Sequence, residues 1–348
     1  HDSVAEDGIA YYGGAIANYG QLLINNSQFL ALETWKNVSF GGALFNYGGD
    51  AEIRDSTFSD FNVNGNGGAI QSEHQSGGSL TISGSTFSNN HGFKGGSIDA
   101  NGPITINNSS FIENDADLGG AIFVKGNSTI SGSTFMLNDA SKGGGLYFSR
   151  GHLSIDSSSF IGNHAATGGG LHILSMGTVR TTIHSVTLRN CTFSSNSTSP
   201  AGPRDFAEIE EGAAIYFEGV LSDTLFENIT ISGNAGSSAL FSRGSLNLRY
   251  STIAYNQGEG IKSEHVQGIT LEDTIIAMND QDCVNAYGFV VSGSVLDSDG
   301  SCPGAILSVD PLLEPLADNG GSTMTHALPA NSPAVDVATG DCPATDQR

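Results

Sequence analysis

Four ionisable residues recur at one position of a repeated pattern and could act together. His91, Asp115, Asp139 and His164 each follow an asparagine at the same point of four successive repeats. Imidazole and carboxylate groups held in register can bind a divalent metal or transfer a proton. The alternative, which we favour, is a solvated turn edge where polar residues cost little.

An oxygen-rich loop near the end of the chain is the second candidate for a metal site. Asp297-Ser-Asp299-Gly-Ser301 has the oxygen-ligand spacing of a calcium loop, but it lacks the downstream glutamate that completes that motif. The sequence therefore requires no cofactor, and calcium is the ion that it weakly indicates.

Charged residues in the middle of the chain are the candidates for catalysis. His172, Arg180, Arg204, Asp205 and Glu208 lie in or beside two segments that interrupt the repeat. A polysaccharide lyase needs cations to neutralise a substrate carboxylate and a base for the α-proton, whereas a glycoside hydrolase needs two acids at a fixed separation. Basic residues do not cluster on adjacent repeats elsewhere and no hydrolase motif is visible, so a polysaccharide-active enzyme is the alternative hypothesis.

A column of aromatic residues is the candidate binding surface. Each repeat contains Gly-Gly-Ala-Ile or a close variant, and the residue after the aliphatic one should point outward from a strand. Rings about 4.8 Å apart on a flat face could stack on sugars or on a partner protein. Alternatively, they stack only on one another or lie under an insertion. This outward column is Ala17, Phe45, Gln71, Asp99, Phe123, Tyr147, His172, Tyr216 and Phe241, with Phe45, Phe123, Tyr147, His172, Tyr216 and Phe241 as the predicted binding residues.

The repeat itself predicts the fold. Phe87, Phe111, Phe135 and Phe160 recur at intervals of 24 or 25 residues, and the residues before each alternate between apolar or small and polar. A period of this length is typical of a solenoid, and alternation with period two indicates strands. Three short strands would complete one coil, with successive coils about 4.8 Å apart. The sequence therefore predicts an all-β, right-handed, single-stranded parallel β-helix of about ten to twelve coils.

Two further columns extend this repeat along the chain. Apolar anchors occupy the phenylalanine position of ten coils, and an asparagine follows three residues after most of them. An asparagine at one corner of each coil can hydrogen-bond the amides of its neighbours. The anchors are Phe29, Phe58, Phe87, Phe111, Phe135, Phe160, Phe193, Ile231, Ile253 and Ile276, and the asparagines are Asn90, Asn114, Asn138, Asn163, Asn196, Asn234, Asn256 and Asn279.

The coils divide the chain into three parts. We expect residues 1–12 to be an acidic cap, residues 13–282 to form the β-helix, and residues 283–348 to hold a disulfide loop and an irregular segment. Insertions near residues 174–185 and 197–211 should protrude as loops, which often carry binding sites.

The cysteines indicate the compartment. Cys283 and Cys302 flank one loop, and a disulfide between them would indicate an oxidising exterior. Cys191 takes a small inward position and is predicted to be an inert core thiol.

Composition excludes several classes of partner. The 348 residues carry a net charge of −23 with only 13 basic residues, which argues against nucleic acid and anionic membranes as partners. No apolar run of about 18 residues exists, so no transmembrane segment is predicted.

The motifs resemble those of two groups of bacterial surface proteins. Phe-x-x-Asn with Gly-Gly-Ala-Ile resembles the repeat of the polymorphic outer-membrane proteins, β-helical surface passengers with adhesive roles. The run from Asp310-Pro-Leu-Leu through Ser332-Pro-Ala-Val-Asp336 to Cys342-Pro-Ala-Thr-Asp resembles the C-terminal segment of choice-of-anchor β-helix proteins. Together the resemblances cover roughly residues 13–348, and they imply a secreted or bacterial cell-surface location more firmly than an activity.

These observations together predict a non-catalytic protein with an adhesive, structural or extracellular-matrix role. Its expected partner is an extracellular glycan, a surface protein or another copy of itself, bound through a flat face and the mid-chain loops. The alternative is a lyase or glycoside hydrolase with a groove near the two insertions.

Overall fold

The chain forms the parallel β-helix that the repeat predicts. The computed structural model describes residues 4–5, 12–31, 40–74, 77–174, 183–199, 210–219, 224–264, 268–285, 288–338 and 347. Three parallel sheets run along the solenoid, and strands pair with their equivalents in adjacent coils. The described residues contain no α-helix, and so none long and apolar enough to cross a membrane.

The first sheet carries the apolar anchors, and we call it the Phe sheet. Phe87 pairs in register with Phe58 on one side and Phe111 on the other. The anchors are buried in a single core, and the rings from Phe29 to Phe193 stack face to face with centroids 4.5–5.0 Å apart. Its strands are Val4–Ala5, Gln28–Leu30, Thr57–Ser59, Thr86–Ser88, Ser110–Ile112, Thr134–Met136, Ser159–Ile161, Thr192–Ser194, Thr230–Ser232, Thr252–Ala254, Thr274–Ala277, Val295–Asp297 and Leu307–Ser308.

The second sheet precedes the Phe sheet in each coil. Its apolar residues alternate with polar ones, so that Leu80 and Ile82 are buried while Thr81 is only partly buried. Its strands are Gln21–Asn25, Asp50–Arg54, Leu80–Ser83, Ile104–Asn107, Ser128–Ser131, Gly151–Asp156, Ile183–Arg189, Thr224–Glu227, Leu246–Arg249, Ile269–Glu272 and Phe289–Val291.

The third sheet consists of two rows of strands. The first row is His91–Lys94, Asp115–Leu118, Asp139–Lys142, His164–Thr167 and Ser197–Thr198. The second row is Ile16–Asn18, Leu44–Tyr47, Ile70–Glu73, Ile98–Asn101, Ile122–Val124, Leu146–Phe148, Leu171–Leu174 and Ile215–Glu218. Long strands join the rows in the later coils, and these are Ala235–Ser242, Gln257–Ser263 and Gln281–Asn285.

The predicted asparagine ladder is confirmed at the turn between the Phe sheet and the first row. Asn138 donates from Nδ2 to Asn163 Oδ1 at 2.8 Å and to the Phe111 carbonyl oxygen at 3.0 Å. Its Oδ1 accepts from the backbone N and the Nδ2 of Asn114. The same pattern recurs from Asn90 to Asn256, so each buried amide satisfies turn groups of two neighbouring coils.

The position two residues before each apolar anchor points inward and holds a small residue in most coils. Ser85 Oγ accepts from the backbone N of Ser56 and donates to the carbonyl oxygen of Ser83. Cys191 takes this position in a later coil, where it is fully buried, and burial raises the pKa of its thiol to about 12. This thiol is therefore an unreactive core group.

The ends of the solenoid differ in part from the prediction. Val4–Ala5, within the expected cap, adds a strand to the Phe sheet beside Gln28–Phe29. Three strands after residue 282 still pair with the coils, so the irregular segment begins later than predicted. The predicted disulfide between Cys283 and Cys302 is present.

Candidate functional site

The two rows of the third sheet meet at the glycine pairs and form a re-entrant corner. Gly95 has a φ of +63°, and a β-carbon on Gly96 would lie 2.1 Å from the carbonyl oxygen of Gly120. Glycine is therefore required at this bend. Outward side chains of both rows contact each other across the angle, as Thr167 Oγ1 and His172 Nδ1 do at 3.1 Å.

The outward column lines this corner and is buried there. Its rings lie outside the main core, as the strand alternation predicts, but they are buried and do not form an exposed aromatic face, which agrees with the alternative that they stack on one another. Successive rings from Phe123 to Phe241 stack with centroids 4.5–5.2 Å apart. The buried members of the predicted surface are Phe45, Phe123, Tyr147, His172, Tyr216 and Phe241, none of which is more than 8% exposed.

His172 is held between two tyrosine rings and is not placed for acid–base chemistry. Its ring stacks on Tyr147 and Tyr216 at 4.9 and 4.5 Å. Burial, together with the nearby Lys142 ammonium, lowers the pKa of His172 to about 3. The imidazole is therefore neutral at physiological pH, and its buried Nε2 has no hydrogen-bond partner among the described residues.

Basic side chains lie over the ring faces at two places in the corner. The Nζ atoms of Lys94 and Lys125 are 5.4 and 5.2 Å from the Phe123 ring centroid. At the far end, Arg243 and Lys262 flank Phe241 at 5.1 and 5.8 Å, and Lys262 also pairs with the buried carboxylate of Glu211 at 2.5 Å. These distances are those of cation–π contacts.

An aromatic pocket opens at the N-terminal end of the corner. Phe45 and Tyr47 come from one strand, with ring centroids 5.9 Å apart. Tyr12 and Phe40 precede glycine pairs, and Tyr12 packs 4.7 Å from Phe45. Tyr19 and Tyr47 are 69% and 38% exposed, so these rings are accessible to a ligand. The aromatic pocket has a volume of about 440 Å³ and is lined by Tyr12, Tyr19, Phe40, Phe45, Tyr47, Gln71 and Glu73.

The floor of the aromatic pocket is polar. Glu73 Oε1 accepts hydrogen bonds from Gln71 Nε2 at 2.8 Å and from Asn101 Nδ2 at 2.7 Å. Asp99 lies one coil further along the solenoid, in register with Gln71. Its side chain is 1% exposed, and neither carboxylate oxygen has a partner in hydrogen-bond geometry among the described residues.

The environment of Asp99 holds the pKa of its carboxyl well above the usual range. Burial is the main cause that raises its pKa to about 7, and the charge of Glu73 adds to it. Lys94 and Lys125 oppose the rise, as does the Asn66 side chain. Asp99 is thus a buried acid beneath the pocket rather than a group that can touch a ligand in this conformation.

The predicted column of histidines and aspartates lies in register on the first row. His91 Nδ1 bonds Asp115 Oδ2 at 2.6 Å, which raises the pKa of His91. Burial raises the pKa of Asp139, and His164 bonds the hydroxyls of two serines through its two nitrogens. Among the described residues, no three of their ligand atoms converge within metal-binding distance. A polar turn edge explains these contacts.

The structure brings Asp297 and Asp299 together with Asp282, which the sequence did not single out. One carboxylate oxygen from each lies within 4.8 Å of the others, beside the disulfide. However, all six oxygens already accept hydrogen bonds, such as those from Ser298 N to Asp282 and from Cys302 N to Asp297. The hydrogen bonds to the cluster therefore give it a structural explanation without a cation.

The remaining catalytic candidates come from the two insertions. Arg180, Arg204, Asp205 and Glu208 lie outside the described residues, as do most of the two insertions. The aromatic pocket itself was missed by sequence reasoning, although aromatic residues directly before Gly13 and Gly41 were a visible signal for it.

Comparison with known proteins agrees with the architecture. Residues 120–296, just over half of the chain, match the family model described as the right handed beta helix region. The chain belongs to this family of right-handed β-helices. No curated protein and no solved structure matches it. Because this fold hosts many functions, the function has to be argued from the site.

Proposed function

We propose that this protein is a non-catalytic β-helix protein of the cell exterior that binds a glycan in the aromatic pocket. The observation that carries the proposal is the convergence of five aromatic side chains on one open cavity with an amide and a carboxylate at its floor. Ring faces pack against the C–H faces of sugars, while Gln71 and Glu73 can hydrogen-bond sugar hydroxyls. The pocket requires no cofactor for such binding.

The proposed location rests on the disulfide and on the motifs of the repeat. A bond between Cys283 and Cys302 is expected outside the reducing cytosol. The resemblance to bacterial surface proteins supports secretion or display on a cell surface, where a rigid rod with a glycan site at one end could act in adhesion or in a matrix.

The described residues give the enzymatic alternative less support. His172, its one described candidate, is buried and neutral, and Asp99 does not reach the pocket surface. We therefore propose binding without turnover. Sustained release of reducing ends from a polysaccharide by the purified protein would contradict this part of the proposal.

The test is a glycan array followed by calorimetric titration of the glycans that bind. Replacement of Tyr19→Ala or Tyr47→Ala should weaken binding by about two- to twelvefold each, since one aromatic contact contributes about 0.5–1.5 kcal/mol. Phe93→Ala is the matched control, because Phe93 is 49% exposed on the first row and does not line the pocket. Binding that is lost equally in the control, or absent from the wild type, would overturn the proposal.

A further inference from the structure

The re-entrant corner repeatedly places positive charge over its aromatic rings. At Phe123 and at Phe241, lysine or arginine side chains lie 5.1–5.8 Å from the ring centroid. Phe45 belongs to the same outward column, yet no described lysine or arginine lies over its ring. None lines the aromatic pocket in the described part of the chain either.

The charge at the pocket floor is negative. Gln71 and Asn101 both donate to Oε1 of Glu73, so they fix the carboxylate, and the described residues supply Oε2 with no hydrogen-bond donor. The whole chain adds a net charge of −23, which attracts cations over longer distances.

The accessible polar group at the floor is an acceptor. The Glu73 carboxylate only accepts hydrogen bonds, and the Gln71 and Asn101 amides already direct donors to it. An ammonium group offers three donors and no acceptor, whereas a hydroxyl brings both.

We propose that the aromatic pocket recognises a protonated amine, so that its ligand is a glycan with free amino groups, such as a glucosamine oligomer. This inference rests on the proposed glycan binding and narrows it to one class of sugar. The ammonium group would lie against Phe45 and Tyr47 and pair with Glu73, while the sugar ring would pack on Tyr19. Aromatic rings with a nearby carboxylate bind organic cations through cation–π and ionic attraction together.

The test compares a glucosamine hexamer with its N-acetylated counterpart by calorimetric titration at about pH 5.5 and about pH 9, on either side of the pKa of an amine of this kind. At the lower pH, the amine-bearing hexamer should bind at least about tenfold tighter than the acetylated one. At the higher pH the preference should disappear, because the free amine is then uncharged.

Variants show whether the preference arises in the pocket rather than from the acidic surface in general. Glu73→Gln should reduce the preference at least about fivefold, whereas Glu272→Gln, an equal charge change in the second sheet, should leave it unchanged. Tyr19→Ala, at a 69% exposed side chain, should weaken binding of the amine-bearing hexamer without disturbing the fold.

The possible failures are distinguishable. If no glycan of any kind binds, the proposed function itself fails. If neutral or acetylated oligomers bind as tightly as the amine-bearing one, the pocket binds glycans and only the amine preference is wrong. If Glu272→Gln lowers the affinity as much as Glu73→Gln does, the attraction belongs to the whole acidic surface and the assignment to this pocket is wrong.

Discussion

At the scale of single residues, Asp99 makes the stability of the protein depend on pH in an unusual direction. Its pKa in the folded state is about 7, well above the ordinary 3.8, because burial disfavours the carboxylate. The folded state therefore holds a proton that the unfolded state releases between these values. The stabilisation that this bound proton gives the folded state is fully present below about pH 4 and is lost as the pH rises to about 7.

Replacement of Asp99→Asn should remove that dependence. The difference in unfolding free energy between variant and wild type should be small near pH 4 and should grow to as much as about 4 kcal/mol in favour of the variant by pH 8. Urea unfolding at several pH values measures it, with the exposed Asp117→Asn as control. A constant difference across this range would show that Asp99 ionises freely in the folded protein.

At the scale of elements, the asparagine ladder stabilises the turn of each coil by hydrogen bonds to the neighbouring coils. Asn138 is fully buried, and its side chain makes four hydrogen bonds to three other residues. Its replacement by alanine removes the acceptor of the Asn114 backbone N and the side-chain donor to the Phe111 carbonyl oxygen, at about 1–3 kcal/mol for each buried group left unsatisfied. Asn138→Ala should therefore destabilise the protein by about 3 kcal/mol or more in guanidinium unfolding.

The neighbouring residue provides the control for this prediction. Leu137 is 51% exposed and has a φ of +56°, a conformation that asparagine adopts more readily than leucine. Leu137→Asn should therefore be neutral or slightly stabilising. If it costs as much as Asn138→Ala, the turn is sensitive to any change and the ladder is not the cause.

The sequence predicts these ladders well because each coil places equivalent residues in the same environment. Phe111 and Asn114 are buried in one coil for the reasons that bury Phe135 and Asn138 in the next. The burial of Phe123 and Tyr147 was not predictable in this way, since alternation says which side of a strand a residue occupies but not whether another row covers that side. The meeting of Asp282 with Asp297 likewise depends on tertiary contacts between separate strands.

At the scale of the whole molecule, the C-terminal segment lies back across the Phe sheet. The antiparallel strands Leu316–Ala317 and Thr325–His326 form its one small hairpin among the described residues. Thr192 Oγ1 donates to the Met324 carbonyl oxygen at 2.6 Å, and Thr323 Oγ1 donates to the Asn190 carbonyl oxygen. Gln347 bonds both Cys191 and Thr230, and His326 bonds Ser232. The segment, which is distant from these coils in sequence, thus links two consecutive coils of the stack.

A variant truncated after Val309 lacks the C-terminal segment. It should lose stability only in the coils that the segment contacts, and should not unfold as a whole. In a solenoid each coil contacts mainly its neighbours, so destabilisation stays near the site where contacts are removed. Hydrogen exchange should therefore accelerate in Thr192–Ser194 and Thr230–Ser232, which the segment covers, and should stay unchanged in Ser110–Ile112. Faster exchange in all three strands would mean that the segment stabilises the whole stack cooperatively. Unchanged exchange in all three would mean that the segment contributes no stability to the strands it contacts.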